Sequence, residues 1–378
     1  MKTTPPASVK ELNKRAITAY LCSKGPATKQ MLERELNLSL PTITQNLRTL
    51  EVEGLIRKGE QLESTGGRKA QTFAFVCRAK IAIGVTMRAN GLTLCAVDLG
   101  GNVISRKFKL LPYHNTDIYY QQMGVIINAF AAGVERNDDN VLGVAFSIQG
   151  IVSADGQTIT FGNIMGNTGL RLDVIAQNVK FPCIMIHDSD AAAMAELWFD
   201  HSLTDAVCVY IEMRPGGAVI VDGQLYQGPN LCNGTIEHMT LVPDGGECYC
   251  GQRGCMDVYC SPEALTEDGE SLSGFFSVLE QGEQEHRQRF NGWLGNVAQA
   301  IRNIRSMLAG DIIIGGEAAH YLDDDDVTTL KRLVEERSAF HTDHFTLRKS
   351  LCLDNQNEIG AALRFVQTFI DEICGHAA

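Results

Sequence analysis

Apolar residues near helical spacing open the chain: Leu12, Ile17, Tyr20 and Leu21 mark one face of a helix over Val9–Lys24, with Ser8 as its cap and Gly25-Pro26 as its stop. Thr28 is placed to cap a second helix over Lys29–Leu36, the Asn37-Leu38 turn ends it, and Ser39 caps a third over Leu40–Gly54 with proline in its first turn. In that third helix Ile43, Leu47 and Leu50 form the apolar stripe, leaving Thr42, Thr44, Gln45, Arg48 and Thr49 on other faces. Two short strands, Leu55–Lys58 and Thr72–Val76, flank a polar glycine-rich turn with Ser64, Thr65, Gly66, Gly67, Arg68 and Lys69. Helix, turn, polar-faced helix and hairpin predict a winged helix-turn-helix over residues 1–76.

From Cys77 strands and helices alternate. Ile81–Thr86, Leu92–Asp98 and Val103–Leu110 read as a meander joined by tight turns, Tyr119–Glu135 as a helix, and Val141–Phe146 and Cys183–His187 as buried strands. A helix over Ala191–Phe199, strands over Val207–Glu212 and Ala218–Val221, a helix over Asn291–Met307, a strand over Asp311–Gly315 and a terminal helix over Glu358–Ile373 complete an α/β body of two lobes, which can be distant duplicates of one another. The carboxylates Asp323–Asp326 read as a solvated loop.

Composition changes this picture in two places. The net charge of -12 is unevenly spread: residues 1–76 hold twelve Lys and Arg against seven Asp and Glu, and the remainder is strongly acidic. A basic head suits a phosphate backbone, and an acidic body discourages other nucleic-acid contact. No apolar run reaches the roughly 18–20 residues of a membrane span, and the N-terminus has no apolar signal core, so the expected location is cytoplasmic. Thiols stay reduced there, which makes clustered cysteines among the twelve present a pointer to metal.

The third helix presents short polar groups with Gln45 and Arg48, which suits base edges in a major groove, and Arg68 and Lys69 on the wing tip can reach an adjacent minor groove. The alternative is a small interaction module with a merely solvated basic face. In GTIEHMTLVPDGGECYCGQRGCMD, residues 234–257, His238 with Cys248, Cys250 and Cys255 supplies one imidazole and three thiolates, a tetrahedral set suited to zinc. With all four positions taken by protein, the ion would be structural. Chance clustering of buried thiols is the alternative, and Cys232 and Cys260 read as packing residues.

The zinc segment, the preceding helix-turn-helix ending in STGGRK and the segment HDSDAAAMAE together resemble the ROK family (repressors, open reading frames, sugar kinases), and within it the winged-helix transcriptional repressors of sugar catabolism. The likeness covers nearly the whole chain. It implies an actin-like, two-lobed sugar-kinase fold, a first lobe over 77–190 with the helix 358–374 packed on it, and a second over 191–357 carrying the zinc. It further implies a sugar or sugar phosphate in the interlobe cleft, a double-stranded DNA operator released when inducer binds, and a homodimer or homotetramer. Asp188 matches the family's catalytic aspartate, which grips a sugar hydroxyl even where no phosphoryl group moves; the plainer role is capping a helix that begins near Asp190. Asn163 resembles the sugar-contacting asparagine, His238 would touch sugar as well as zinc, and Asp257 stands where the family usually has glutamate.

Two departures bear on activity. Family kinases run from the first strand into Asp-x-Gly-Gly-Thr, whereas IGVTMRANG places Thr86 at the aspartate and Arg88 at the first glycine. Loss of that carboxylate and obstruction of the backbone argue against kinase activity, although Ile312-Ile313-Ile314-Gly315-Gly316 on the adenosine side is retained. Thr235 and Glu237 replace the family's usual glutamate and glycine before the histidine, which leaves the effector open. A hexose kinase with a fused DNA-binding module, and a regulator controlled by a protein partner, are the rival readings. The sign of regulation is open as well.

Overall fold

The computed structural model describes residues 9–62, 70–228, 234–339 and 345–375. Ser8, the wing-tip turn with Arg68 and Lys69, and Cys232 lie outside the described residues.

The head contains α1 (Val9–Lys24), β1 (Ala27–Thr28), α2 (Lys29–Leu36), α3 (Leu40–Val52), β2 (Ile56–Leu62) and β3 (Ala70–Phe75), with a sheet ordered β1-β3-β2. Its boundaries follow from the caps. The Thr28 side chain accepts from the Met31 amide, Asn37 adopts a left-handed conformation at the end of α2, and Ser39 accepts from the Thr42 amide with Pro41 in the first turn of α3. Ile43, Leu47 and Leu50 are buried against Ile17 and Leu21 of α1, Leu32 of α2 and Phe73 of β3. Leu12 does not join them and is 54% exposed.

The body begins with β4 (Ile81–Arg88), β5 (Gly91–Asp98), β6 (Val103–Leu110), α4 (Asp117–Val134), β7 (Val141–Ile148), the small pair β8 (Ile151–Val152) and β9 (Ile159–Phe161), α5 (Leu172–Ile175) and β10 (Cys183–His187). A long α6 (Asp188–Phe199) leads to β11 (Ala206–Tyr210), β12 (Gly216–Val221) and β13 (Gln224–Leu225). After α7 (Met256–Cys260), α8 (Leu272–Glu280) and α9 (Gln284–Arg305) come β14 (Asp311–Gly315), α10 (Asp324–Arg337), β15 (Leu347–Lys349) and α11 (Gln356–Cys374).

The two large sheets share one topology. Their orders are β10-β7-β4-β5-β6 and β13-β12-β11-β14-β15. In each, the first three strands form an antiparallel meander and the last two add in parallel beside the first strand. This is the actin-like duplication that the strand pattern suggests. β4 and β11, buried on both faces, carry the continuous apolar runs expected of such central strands.

α6 and α11 pack together between the sheets, with α11 laid on β4, β5 and β7 and reaching α1 of the head. A boundary at residue 190 therefore falls inside α6, which also touches β12. Asp323–Asp326 is not a loop. Asp323 caps α10 and forms a reciprocal capping box with Asp326, because carboxylates are favourable at a helix N-terminus.

Candidate functional site

Two sites emerge, one on the head and one between the lobes. On the head, α3 offers Thr44, Gln45, Arg48 and Thr49 to a shallow surface hollow flanked by Leu40 and Pro41. Gln45 and Arg48 are exposed and Thr44 half-buried. Thr42 differs: its hydroxyl lies 2.9 Å from that of Ser39 and belongs to the helix cap, so it is less available to a ligand than the other three. Asn46 turns inward and donates to the Thr42 carbonyl at 2.9 Å.

Between the sheets lies a cavity of about 250 Å³. Asn163, Asp188, Thr235, Glu237 and His238 all line it, as do Gln149, Ser189, Arg214 and Tyr249. The chain reaches it from distant points because β7 and β10 end at the cleft and β12 begins there. Asp188 sits where β10 passes directly into α6, and its Oδ1 accepts from the Ser189 amide at 2.8 Å while standing 3.3 Å from His187 Nε2. It is thus the first helical residue rather than a cap for a helix beginning later, and the residue lines the cavity. Asp257 is brought close but not onto the wall. It is 2% exposed, its Oδ2 lies 3.3 Å from Arg214 Nη1, and the Cys248 thiol approaches the same oxygen at 3.9 Å.

Arg214, Tyr249 and Gln149 are among the members that sequence patterning does not single out. The Arg214 guanidinium lies over the Tyr249 ring, 5.3 Å from its centroid, and the Tyr249 hydroxyl is 3.2 Å from His238 Nε2. Arg-Pro-Gly-Gly at residues 214–217 is the available signal, a cation in a tight loop leading into a strand, since loops positioned by a rigid scaffold disproportionately carry binding residues. Glu237 is 7% exposed; its Oε1 lies 3.7 Å from His238 Nε2 and its Oε2 has no hydrogen-bond partner. Burial pushes this carboxyl up to about 8, with Asp188 and Asp257 acting in the same direction. Such a group is well placed to meet a ligand hydroxyl.

The donor atoms of His238, Cys248, Cys250 and Cys255 all lie within 4.8 Å of one another. Cys250 and Cys255 sulfurs are 3.8 Å apart, and Cys248 Sγ is 3.7 Å from His238 Nδ1. A tetrahedral ion with metal–sulfur bonds of about 2.3 Å demands sulfur–sulfur edges of about 3.8 Å, close to these two separations, so the donor set and its spacing fit zinc. Burial lowers the His238 pKa and keeps its ring neutral, as ligation requires. The ring is divided between duties, Nδ1 facing the sulfurs and Nε2 facing Tyr249 and the cavity. Gly251 and Gly254 both have positive φ, and a Cβ on Gly254 would run into the Val242 carbonyl, so the loop closes around the set only with glycine there.

These features define a two-lobed sugar-kinase fold with a zinc-type loop beside its cleft. The ROK family model matches residues 82–368, and the chain belongs to that family. Among curated relatives, it is 26% identical over 279 residues to the DNA-binding transcriptional dual regulator NagC of Escherichia coli K12, covering 73% of this chain and 67% of that protein. It is 22% identical over 259 residues to the xylose repressor of Bacillus subtilis, covering 68% and 67%. Among solved structures, a ROK family transcriptional regulator described as a homologue of the E. coli MLC protein superposes with a TM-score of 0.77 at 20% identity, over 97% of this chain and 98% of that one. A ROK glucokinase from Streptomyces griseus, in complex with glucose and AMPPNP, gives 0.66 at 21% identity, over 75% and 98%. At these identities the structures speak for the fold alone.

Proposed function

We propose that this chain is a DNA-binding transcriptional regulator of sugar-utilisation genes, most simply a repressor, controlled by a sugar or sugar phosphate in the interlobe cavity. The head over residues 1–76 reads the operator with Gln45, Arg48 and Thr44 of α3 in a major groove and Arg68 and Lys69 of the wing in a minor groove. The first lobe starts at residue 77 and takes α11, and the second runs to residue 357. Asp188, Asn163, Thr235, Glu237 and His238 hold the effector's hydroxyls, with Asp257 acting through Arg214. A structural zinc on His238, Cys248, Cys250 and Cys255 would fix the loop that carries part of this wall, and it would leave no position for water. A homodimer or homotetramer supplies paired heads for a symmetric operator.

The carrying observation is that one chain joins a capped, polar-faced α3 to a family cleft whose phosphate loop is replaced by Thr86 and Arg88. The names of the curated relatives, repressors and a dual regulator, support the same reading. On this view lobe closure around the sugar favours one spacing of the paired α3 helices and operator DNA another. Gel-shift titration with candidate promoter fragments tests it. Affinity should change on adding an effector sugar, and affinity indifferent to every sugar and sugar phosphate would refute control by this cleft. Sugar-dependent ATP consumption that disappears in Asp188→Asn would instead establish a kinase.

A further inference from the structure

Arg88 closes β4 in one sheet and Glu212 follows β11 in the other, so the pair faces across the cleft, with Arg88 Nη1 3.4 Å from Glu212 Oε2. Glu358 of α11 and Asp188 bear on the same guanidinium. Arg88, Glu212 and Glu358 line a second cavity of about 250 Å³, while Asp188 lines the first. The Arg88 guanidinium thus borders the second cavity while lying within electrostatic reach of Asp188 on the first, so a phosphoryl group carried past Asp188 toward that second cavity would meet it.

Arg88 on the second cavity and Arg214 on the first are both already committed. Arg88 is taken by Glu212, Glu358 and Asp188, and Arg214 by Asp257 at 3.3 Å and Glu263 at 3.4 Å. A phosphate dianion would meet carboxylates in excess of cations, in a cleft where such repulsion is poorly screened. A sugar hydroxyl, by contrast, donates a hydrogen bond. It satisfies Asp188 and can pair as donor or acceptor with the partnerless Glu237 Oε2, a buried polar atom that costs stability until it finds a partner. We infer that the cavity accepts an uncharged monosaccharide and rejects the corresponding phosphate ester, with Glu212 setting this selectivity by holding Arg88. This rests on the reading that a sugar in this cavity controls operator binding, and it narrows the effector to one chemical class.

The test uses the full chain and matched pairs: glucose, mannose and N-acetylglucosamine, each beside its 6-phosphate, followed by calorimetry and by release of operator DNA. The wild-type protein should bind at least one of the free sugars, with the matching 6-phosphate at least about tenfold weaker. Glu212→Gln removes one carboxylate from Arg88 and should narrow that ratio several-fold, its melting temperature without ligand verifying that it folds. A 6-phosphate that binds as tightly as its free sugar overturns the inference and leaves the regulator reading standing. An unchanged ratio in Glu212→Gln overturns the part assigned to that residue. If none of the six compounds binds while operator DNA still does, the inference fails, and control by sugar is then decided by the wider gel-shift series.

Discussion

Glu196 is fully buried in α6, two turns beyond Asp188, and it is a carboxylate with a structural task. Its Oε2 lies 3.1 Å from Arg348 Nη1, its Oε1 accepts from the Leu351 amide at 2.8 Å and from the Ser350 hydroxyl, and Arg348 also reaches Asp200 Oδ2 at 2.9 Å. The group thereby ties the helix that carries Asp188 to the segment after β15. Glu196→Ala leaves an amide, a hydroxyl and part of a guanidinium without their acceptor in a dry site. Breaking one side of a buried pair costs about 3–5 kcal/mol. With a urea dependence of about 3 kcal/mol per molar for a body of this size, the midpoint should fall by about 1–1.7 M. Trp198, two residues away with its Nε1 3.3 Å from the Gly100 carbonyl, provides a fluorescence signal beside the perturbation. Arg348→Ala should cost less, because that side chain is 26% exposed and its loss leaves two donors on Glu196. The double variant should cost less than the two singles together, since the two changes remove a shared interaction. A single Glu196→Ala loss below about 1 kcal/mol, the scale of an exposed ion pair, would refute the account.

Other outcomes follow from the same geometry. Purified protein should carry one zinc per chain, and Cys255→Ser or a strong chelator should remove it and lower the melting temperature; full metal retention in Cys255→Ser would contradict the four-ligand set. Arg48→Ala should weaken operator binding by about 1–3 kcal/mol and relax discrimination at one base pair if it reads a base, or flatten the salt dependence by about one ion if it holds a phosphate. Unchanged affinity and salt slope would remove Arg48 from the interface. The His286 pKa is raised chiefly by its hydrogen bond to Glu283, with Glu270 adding to it. Its contribution to stability is accordingly complete below the unfolded value of about 6.5 and is lost as pH rises through the higher folded value. The stability gap between wild type and His286→Gln should shrink from pH 6 to pH 8, and a gap that widens would reverse the sign of this interaction.

What could be read from the chain beforehand depended on how local each determinant is. The zinc set was legible because its three cysteines fall within eight residues and few chemistries want that donor set. α3 was legible because its cap, first-turn proline and apolar stripe are all in one segment. α8 escaped notice because Ser271-Leu272-Ser273-Gly274 begins it with weak helix formers, and its stability comes from burying Phe275, Phe276 and Leu279 against α9. α10 differs from the expected loop because four adjacent carboxylates look like a solvated loop until their position at a helix start is known; they are indeed largely exposed, but helical. Arg214, Tyr249 and the Arg88–Glu212 bridge depend on elements far apart in sequence, and no periodicity announces such meetings. Asp257 was assigned by alignment with a family position, and only the packing of α7 reveals that Arg214 stands between it and the cavity.

The placement of α11 also has a bearing on how the chain is made. This helix covers one face of the strands β4, β5 and β7, which leave the ribosome more than two hundred residues earlier, and its Phe369 joins the core of the head. Until α11 emerges, an apolar sheet surface stays open to solvent or to a chaperone, so the first lobe can settle only after the second lobe has been made.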